Sequence, residues 1–168
     1  MIVNRQTLLD SYPILGMVKN KVKSNGVTYG MSEAGYDIRI KQSICFGKNI
    51  VGSRTVIRTE PSGEKSFFKG RFVIASAVEP FNMPNKLIGI VHDKSSWARR
   101  GLSVFNTCIE SGWKGFLTLE LVYHGEETLI VPSGAGIAQV IFHETTDSAA
   151  YSGRYQDQKN QPQSAIPA

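Results

Sequence analysis

The sequence predicts an all-β fold, a distorted β-barrel or jelly roll with one or two short helices. Five short runs rich in β-branched and aromatic residues are each bounded by turn residues, which is typical of strands. These runs are residues 36–40, 72–75, 87–91, 116–123 and 137–142. Turn clusters at 24–26, 61–63, 124–127 and 132–134 interrupt the strand-like stretches. Many short strands at even spacing indicate a barrel or a sandwich.

Two segments break this pattern and predict helices. Residues 3–15 have apolar side chains at helical spacing, with Asn4 as a candidate N-cap and Gly16 as the residue that ends the helix. Residues 94–101 form the second predicted helix, with Ser95 or Ser96 capping its start and Gly101 ending it.

The chain of 168 residues is long enough for one domain with a buried core. We expect a barrel domain over residues 1–147 and a flexible C-terminal tail over 148–168, where Ser, Gly, Gln, Asn and Pro predominate. Hydrophobic residues make up 41% and charged residues 20%, which disfavours wholesale disorder. No apolar run approaches the roughly 20 residues of a membrane helix. No signal peptide is recognised either, so the expected compartment is the cytoplasm.

The net charge of +5 favours an anionic partner, which could be nucleic acid, an acidic surface or a nucleotide. The densest polar cluster is residues 94–101, where two hydroxyls precede a helical turn and three cations lie nearby. Backbone N–H groups, hydroxyls and cations together form a cradle suited to phosphates. A capped surface helix with solvated charges explains the same residues equally well.

Glu120 is the second chemical feature. Strand alternation places Phe116, Thr118 and Glu120 on one face, opposite the leucines that alternate with them. A carboxylate in a partly dry pocket has a raised pKa and can pass a proton from water to a leaving group. The alternative is an exposed glutamate on an edge strand.

Several motifs resemble one known family. Gly35-Tyr36-Asp37-Ile38-Arg39, residues 94–101, the loop 107–115 and Thr118-Leu119-Glu120 are similar, in order and spacing, to signature blocks of the dCTP deaminases of the trimeric dUTPase superfamily. Residues 136–142 resemble the Gly-Val-Ala-Gln strand of that family, and Tyr151 with residues 154–158 resembles its C-terminal motif. The resemblance covers about residues 30–158. It implies a fold of the dUTPase type.

The resemblance also implies a function, namely deamination of dCTP to dUTP. Glu120 would be the general base and acid, and no zinc would be required. The implied substrate-binding residues are Lys94, Ser95, Ser96 and Arg99 for the triphosphate, Thr107, Cys108, Glu110, Thr118, Leu119 and Gln139 around the base and sugar, and Tyr151, Arg154 and Gln158 as a lid. Family members form homotrimers with sites between subunits. Mg²⁺ would be bound through the nucleotide phosphates, and neither a membrane nor nucleic acid is an expected partner.

Some positions depart from the family pattern. Cys108 stands where relatives usually have Pro or Ala, Arg100 replaces a small or apolar residue, and Arg154 replaces Lys. A zinc-dependent deaminase would need His-x-Glu and Pro-Cys-x-x-Cys motifs, which the sequence lacks. Trp97 and Trp113 are expected to pack against a neighbouring subunit.

Two alternative functions remain open. Glu110 lies near the position where dUTPases activate water, so the chain could be a nucleotide diphosphatase, or a bifunctional enzyme that deaminates dCTP and cleaves dUTP to a monophosphate. A non-catalytic protein on the same scaffold could instead bind nucleic acid or a partner through its basic surface. Phe67 and Phe68, among lysines, could stack on bases, although a basic loop with a core-facing aromatic explains them better.

Overall fold

The computed structural model describes residues 1–167 and confirms the all-β prediction. The described residues form fourteen strands and two short helices. In chain order the elements are β1 (Ile2–Val3), α1 (Arg5–Ser11), β2 (Val22–Ser24), β3 (Val27–Met31), β4 (Tyr36–Arg39), β5 (Ser43–Lys48), β6 (Arg54–Thr59), β7 (Lys65–Lys69), β8 (Phe72–Asn82), β9 (Leu87–Asp93), α2 (Ser95–Ala98), β10 (Leu102–Val104), β11 (Cys108–Ile109), β12 (Lys114–Tyr123), β13 (Leu129–Val131) and β14 (Gly136–Glu144).

The strands form three antiparallel sheets. The largest has the order β11-β9-β14-β4-β3-β2, with β1 also paired to β14. A second sheet has the order β10-β12-β8 and a third the order β13-β5-β6-β7. Over residues 1–167 these sheets remain separate, so the expected distorted barrel does not close.

The core lies between the sheets, where alternate residues of each strand point inward. On β12, Leu117, Leu119, Leu121 and Tyr123 are buried while their neighbours are less so, which confirms the alternation predicted around Glu120. The largest fully buried side chains include Trp97, Tyr36, Phe46, Phe81 and Phe142, and they come from four strands and α2.

The predicted turns connect strands as expected. Asn25 and Gly26 both have positive φ angles, 53° and 77°, between β2 and β3. Positive φ at both central residues is the requirement of the two-residue hairpin turn whose twist matches its strands. Residues 61–63 connect β6 to β7, and residues 132–134 connect β13 to β14.

Both helices are present. Asn4 occupies the predicted N-cap position of the first helix, although its side chain donates to the Glu33 carbonyl and makes no capping hydrogen bond. The other predicted ends were wrong: the first helix ends at Ser11, followed by Tyr12 in a left-handed conformation, ahead of Gly16. The second is capped at Lys94, not at Ser95 or Ser96. The reason is that the Lys94 carbonyl already accepts hydrogen bonds from the Trp97 and Ala98 amides, so the helix begins one residue earlier. Neither helix is long enough or apolar enough to span a membrane.

The predicted basic loop around Phe67 and Phe68 is a pair of strands, β6 and β7. The core-facing aromatic expected there is confirmed, since Phe68 packs against the core while Phe67 is 71% exposed. Trp97 and Trp113 are buried within their own chain, so the expectation that they pack against a neighbouring subunit was wrong. Each indole N–H donates to a backbone carbonyl of the same chain, of Gly136 for Trp97 and of Tyr155 for Trp113.

Candidate active site

A cavity of about 490 Å³ lies where the outer face of the β8–β12 sheet meets the loop 107–113 and the C-terminal tail. Six of the residues named from the sequence contribute to its wall together with Glu120. These six are Thr107, Cys108, Glu110, Thr118, Tyr151 and Gln158. The structure therefore brings together half of the predicted site within one chain.

Glu120 lies on β12 directly opposite Ile74 of β8, and both line the cavity. The Glu120 carboxylate is half-buried and makes no salt bridge within the part of the chain described. Burial raises its pKa, because no cation offsets the loss of water around the charged form. Such a carboxylate can accept a proton from water and give it up again within one reaction cycle.

The loop 107–113 forms the opposite wall. Cys108 and Glu110 are both exposed. Partial desolvation in the cavity wall, together with the nearby Glu110 carboxylate, raises the pKa of the Cys108 thiol. Cys108 and Cys45 are both free thiols. Leu119 has a different position, because its side chain is buried in the core on the opposite face of β12. Leu119 does not line the cavity.

The tail covers the cavity and is fixed by hydrogen bonds. The Gln158 side-chain amide and the Gln163 backbone N–H both donate to the Thr118 hydroxyl, the latter at 3.0 Å. The Phe116 N–H donates to the Gln158 carbonyl at 3.0 Å. Arg154 lies outside the cavity and donates to the Ile166 carbonyl at 2.6 Å. The predicted flexibility of residues 148–168 stays a prediction.

Gly115 allows the tail to approach this closely. Its φ angle is +137°, a value that residues other than glycine rarely adopt. A Cβ atom at this position would lie 2.6 Å from the backbone nitrogen of Gln158. A glycine is therefore required where the tail crosses β12.

Five predicted substrate-binding residues lie away from this cavity: Lys94, Ser95, Ser96, Arg99 and Gln139. Ser95, Ser96 and Arg99 are exposed on α2 and at its end. Gln139 donates to the Ser32 hydroxyl at 2.9 Å, and Lys94 is buried beside Asp37. Ser95, Ser96 and Arg99, together called the serine-arginine turn, thus do not line the Glu120 cavity within the described part of one chain.

Several residues that contribute to the site were missed in the sequence. Trp113 and Tyr155 both line the cavity, and the Trp113 indole N–H donates to the Tyr155 carbonyl at 2.7 Å. Gln156 fixes the tail by donating to the Gly112 and Tyr151 carbonyls. The signal available in the sequence was the pair of glycines, Gly112 and Gly115, on either side of Trp113. Both have positive φ in the structure, and glycines in such positions often mark where another segment approaches closely.

The charged groups that line the cavity are acidic. Glu110 and Glu120 are its only ionisable carboxylates, and no lysine or arginine lines it within residues 1–167. A neutral ring therefore fits this cavity better than a phosphate group does. In the same part of the chain, no three His, Cys, Asp or Glu side chains are grouped so as to hold a metal ion.

The family model described as dCTP deaminase-like matches residues 18–145. This chain belongs to the dCTP deaminase-like family. The dCTP deaminase of Campylobacter concisus (strain 13826) is 32% identical over 170 residues, covering 92% of this chain and 90% of that protein. The dCTP deaminase of Campylobacter curvus (strain 525.92) is 34% identical over 161 residues, covering 87% and 86%.

Solved structures similar to this dCTP deaminase-like chain share its fold. The dUTPase of EIAV has a TM-score of 0.50 at 19% identity and covers 87% of this chain and 95% of its own. The dUTPase of Staphylococcus bacteriophage 80alpha has a TM-score of 0.52 at 11% identity and covers 80% and 88%. The fold of the dUTPase type expected from the motifs is thereby confirmed.

Proposed function

We propose that the chain hydrolyses the exocyclic amine of dCTP and gives dUTP and ammonia. The proposal depends on Glu120, which is half-buried and has no counter-ion within residues 1–167. Burial raises its pKa, and no lysine or arginine of the same residues lines the cavity. This cavity suits a cytosine ring, which is neutral. Membership of the dCTP deaminase-like family supports the same substrate.

The proposed chemistry needs one proton-carrying group. Glu120 takes a proton from water as the oxygen attacks C4 of cytosine, and it gives this proton to ring N3 as the C4–N3 double bond becomes a single bond. Glu120 then takes the proton of the new C4 hydroxyl and gives it to the amino group. The bond from C4 to the amino nitrogen breaks as the C4 carbonyl forms, and ammonia leaves. The sequence contains no zinc-deaminase motif, so the proposed water activation is by the carboxylate alone.

The triphosphate requires cations, and none of the described lysines and arginines lines the cavity. We assign this part of the site to Ser95, Ser96 and Arg99, which are exposed on the turn around α2. Since this turn does not line the cavity of its own chain, the proposal places it in a neighbouring subunit of a homotrimer. Mg²⁺ would be held by phosphate oxygens and water, where it offsets the negative charge of the triphosphate.

The tail completes the proposed site as a lid. Tyr151 and Gln158 already line the cavity, and Arg154 would reach the phosphates once it leaves the Ile166 carbonyl. We propose the cytoplasm as the compartment, in keeping with the free thiols of Cys45 and Cys108.

The test compares Glu120→Gln with Glu110→Gln, since both side chains lie in the same cavity. We expect Glu120→Gln to bind dCTP with unchanged affinity and to lose ammonia release by about 10²–10⁴-fold. Affinity is measured by calorimetry and turnover by ammonia detection, with the products identified. Glu110→Gln should keep ammonia release at saturating dCTP, because Glu110 lines the cavity but transfers no proton in this scheme. Turnover of Glu120→Gln close to that of the unaltered protein would refute the assignment.

A second candidate function is a bifunctional enzyme that also cleaves dUTP to dUMP and pyrophosphate. The presence of Glu110 in the cavity favours it, because a second carboxylate could activate the water that attacks the phosphate. Measuring ammonia and pyrophosphate from one dCTP incubation separates the two functions. In the bifunctional case, Glu110→Gln should lose pyrophosphate release and keep ammonia release.

A further inference from the structure

The serine-arginine turn is anchored from inside the protein by a buried ion pair. The Lys94 ammonium donates to Asp37 Oδ2 and, at 3.0 Å, to the Thr28 hydroxyl. The side chains of Lys94 and Asp37 are only 10% and 4% exposed. Thr28 in turn donates to the same carboxylate at 3.2 Å, while Asp37 Oδ1 has no hydrogen-bond partner among the described residues. Lys94 is therefore the sole cation available to this carboxylate in that part of the chain.

The pair connects the turn to the centre of the largest sheet. Asp37 is on β4, where it lies between Gly30 of β3 and Gln139 of β14. Lys94 directly follows β9, on the other side of β14. Its side chain thus reaches across β14 and fixes the start of α2 to a strand that is not its neighbour in the sheet.

The backbone of Lys94 organises the same turn. Its carbonyl accepts from the Trp97 N–H at 2.9 Å and the Ala98 N–H at 3.0 Å. Trp97 supplies a second anchor, since its buried indole donates to the Gly136 carbonyl at 2.7 Å. With Lys94 and Trp97 held inward, Ser95, Ser96 and Arg99 are left facing outward.

We infer that Lys94 is a positioning residue, which with Asp37 sets the orientation of Ser95, Ser96 and Arg99 and does not itself contact the triphosphate. The inference rests on the proposed function, in which those three residues bind the triphosphate. If the Lys94 ammonium moved to a phosphate, it would leave a buried carboxylate without any counter-ion. Breaking a buried pair in this way is strongly unfavourable, whereas replacing both partners with neutral groups is tolerated.

A double-mutant cycle tests this inference with Lys94→Met, Asp37→Asn and the combination of the two. Each single change should raise the KM for dCTP about tenfold and leave kcat nearly unchanged, because each leaves a buried charge that distorts the turn. The double variant should return to within about threefold of the unaltered protein, since its buried groups are neutral. Lys86→Met, at an exposed lysine, is the matched control and should have no effect.

The alternative outcomes are distinct. A direct phosphate contact by Lys94 would make the double variant as weak as Lys94→Met, and Asp37→Asn alone would keep or improve affinity; this result overturns the inference. A purely structural role, with lower thermal stability in the single variants and no change in KM, overturns it as well.

Hydrogen exchange at residues 95–101 gives a readout that needs no catalysis. These amides should exchange faster in both single variants, because the Trp97 and Ala98 amides are bonded to the Lys94 carbonyl. In the double variant the exchange rate should return to that of the unaltered protein. Unchanged exchange in both single variants would also contradict the inference. Failure of the unaltered protein to release ammonia would refute the proposed function and leave this exchange test intact.

Discussion

Ile74 faces Glu120 across the β8–β12 pair, so it helps to keep water from the carboxylate. The proposed general base Glu120 must be ionised to accept a proton. Because its pKa is raised, kcat/KM for the proposed ammonia release should fall as the pH is lowered, starting above the ordinary glutamate pKa of about 4.3. Ile74→Thr should hydrate the carboxylate, lower its pKa and move this acid limb to lower pH.

The pH dependence of kcat/KM provides the measurement. Ile130→Thr is the control, because Ile130 is an exposed isoleucine on β13, away from the cavity. An acid limb that is the same in both variants would show that burial by Ile74 does not set the pKa of Glu120.

The difference between Glu120 and Lys94 shows how far single residues could be predicted. The face on which Glu120 lies follows from alternation along one strand, which is a local property. Lys94, like Glu120, belongs to a motif that resembles the family, but its partner Asp37 is 57 residues away in the sequence. No local pattern indicates that this cation points inward, because the burial of Asp37 depends on how β4, β14 and α2 pack together.

Among the elements, β12 gives the clearest contrast between two neighbouring positions. Leu121 is fully buried, whereas Val122 is partly exposed. Leu121→Ala should lower the free energy of unfolding by about 2–5 kcal/mol, because it leaves a cavity in the core. Val122→Ala is the matched change and should cost about 1 kcal/mol. Chemical denaturation measures both, and equal losses would contradict the alternation of the strand.

The docking of the tail depends on a single glycine. Gly115→Ala would place a methyl group 2.6 Å from the Gln158 nitrogen, so the tail should detach from β12. Limited proteolysis should then cleave residues 148–167 several-fold faster. Gly134→Ala is the control, since Gly134 also has positive φ but has open space around its Cβ position. Equal protection of the tail in both variants would show that Gly115 is not required for docking.

Strands were predicted more accurately than helix ends. The five strand-like runs all lie within or across observed strands, because alternating apolar residues and turn glycines are visible in sequence order. The ends of α1 and α2 depend on which carbonyl accepts the first or last hydrogen bond, as with Lys94 in place of Ser95. That choice is made by packing against the sheets, so the capping residues alone could not predict it.

For the whole molecule, the separation of Glu120 from the serine-arginine turn leads to a test by subunit mixing. Glu120→Gln and Arg99→Ala should each be inactive alone. After the two are refolded together, about a quarter of the sites in randomly mixed trimers of the proposed kind should combine an intact Glu120 with an intact Arg99 from a neighbour. Ammonia release should therefore reappear in the mixture. Its absence, with mixed trimers shown to form, would place both residues in one chain.

The order of the strands within the sheets could not be predicted from the sequence. Turn clusters predicted where one strand ends and the next begins, as between β2 and β3, which pair, and between β13 and β14, which lie in different sheets. They could not predict that β14 lies between β4 and β9, since those contacts join residues about 50 to 100 positions apart. The division into three sheets, and hence the open arrangement, follows from these long-range pairs.

The Thr118 hydroxyl restricts what can lie next to it. It already accepts from the Gln158 amide and from the Gln163 N–H, so both of its oxygen lone pairs are used while the tail is docked. Only its hydrogen is left to give. A molecule that meets this hydroxyl must therefore present an electron pair, such as a carbonyl oxygen or an unprotonated ring nitrogen, and an amino group at the same point would find nothing to accept its protons.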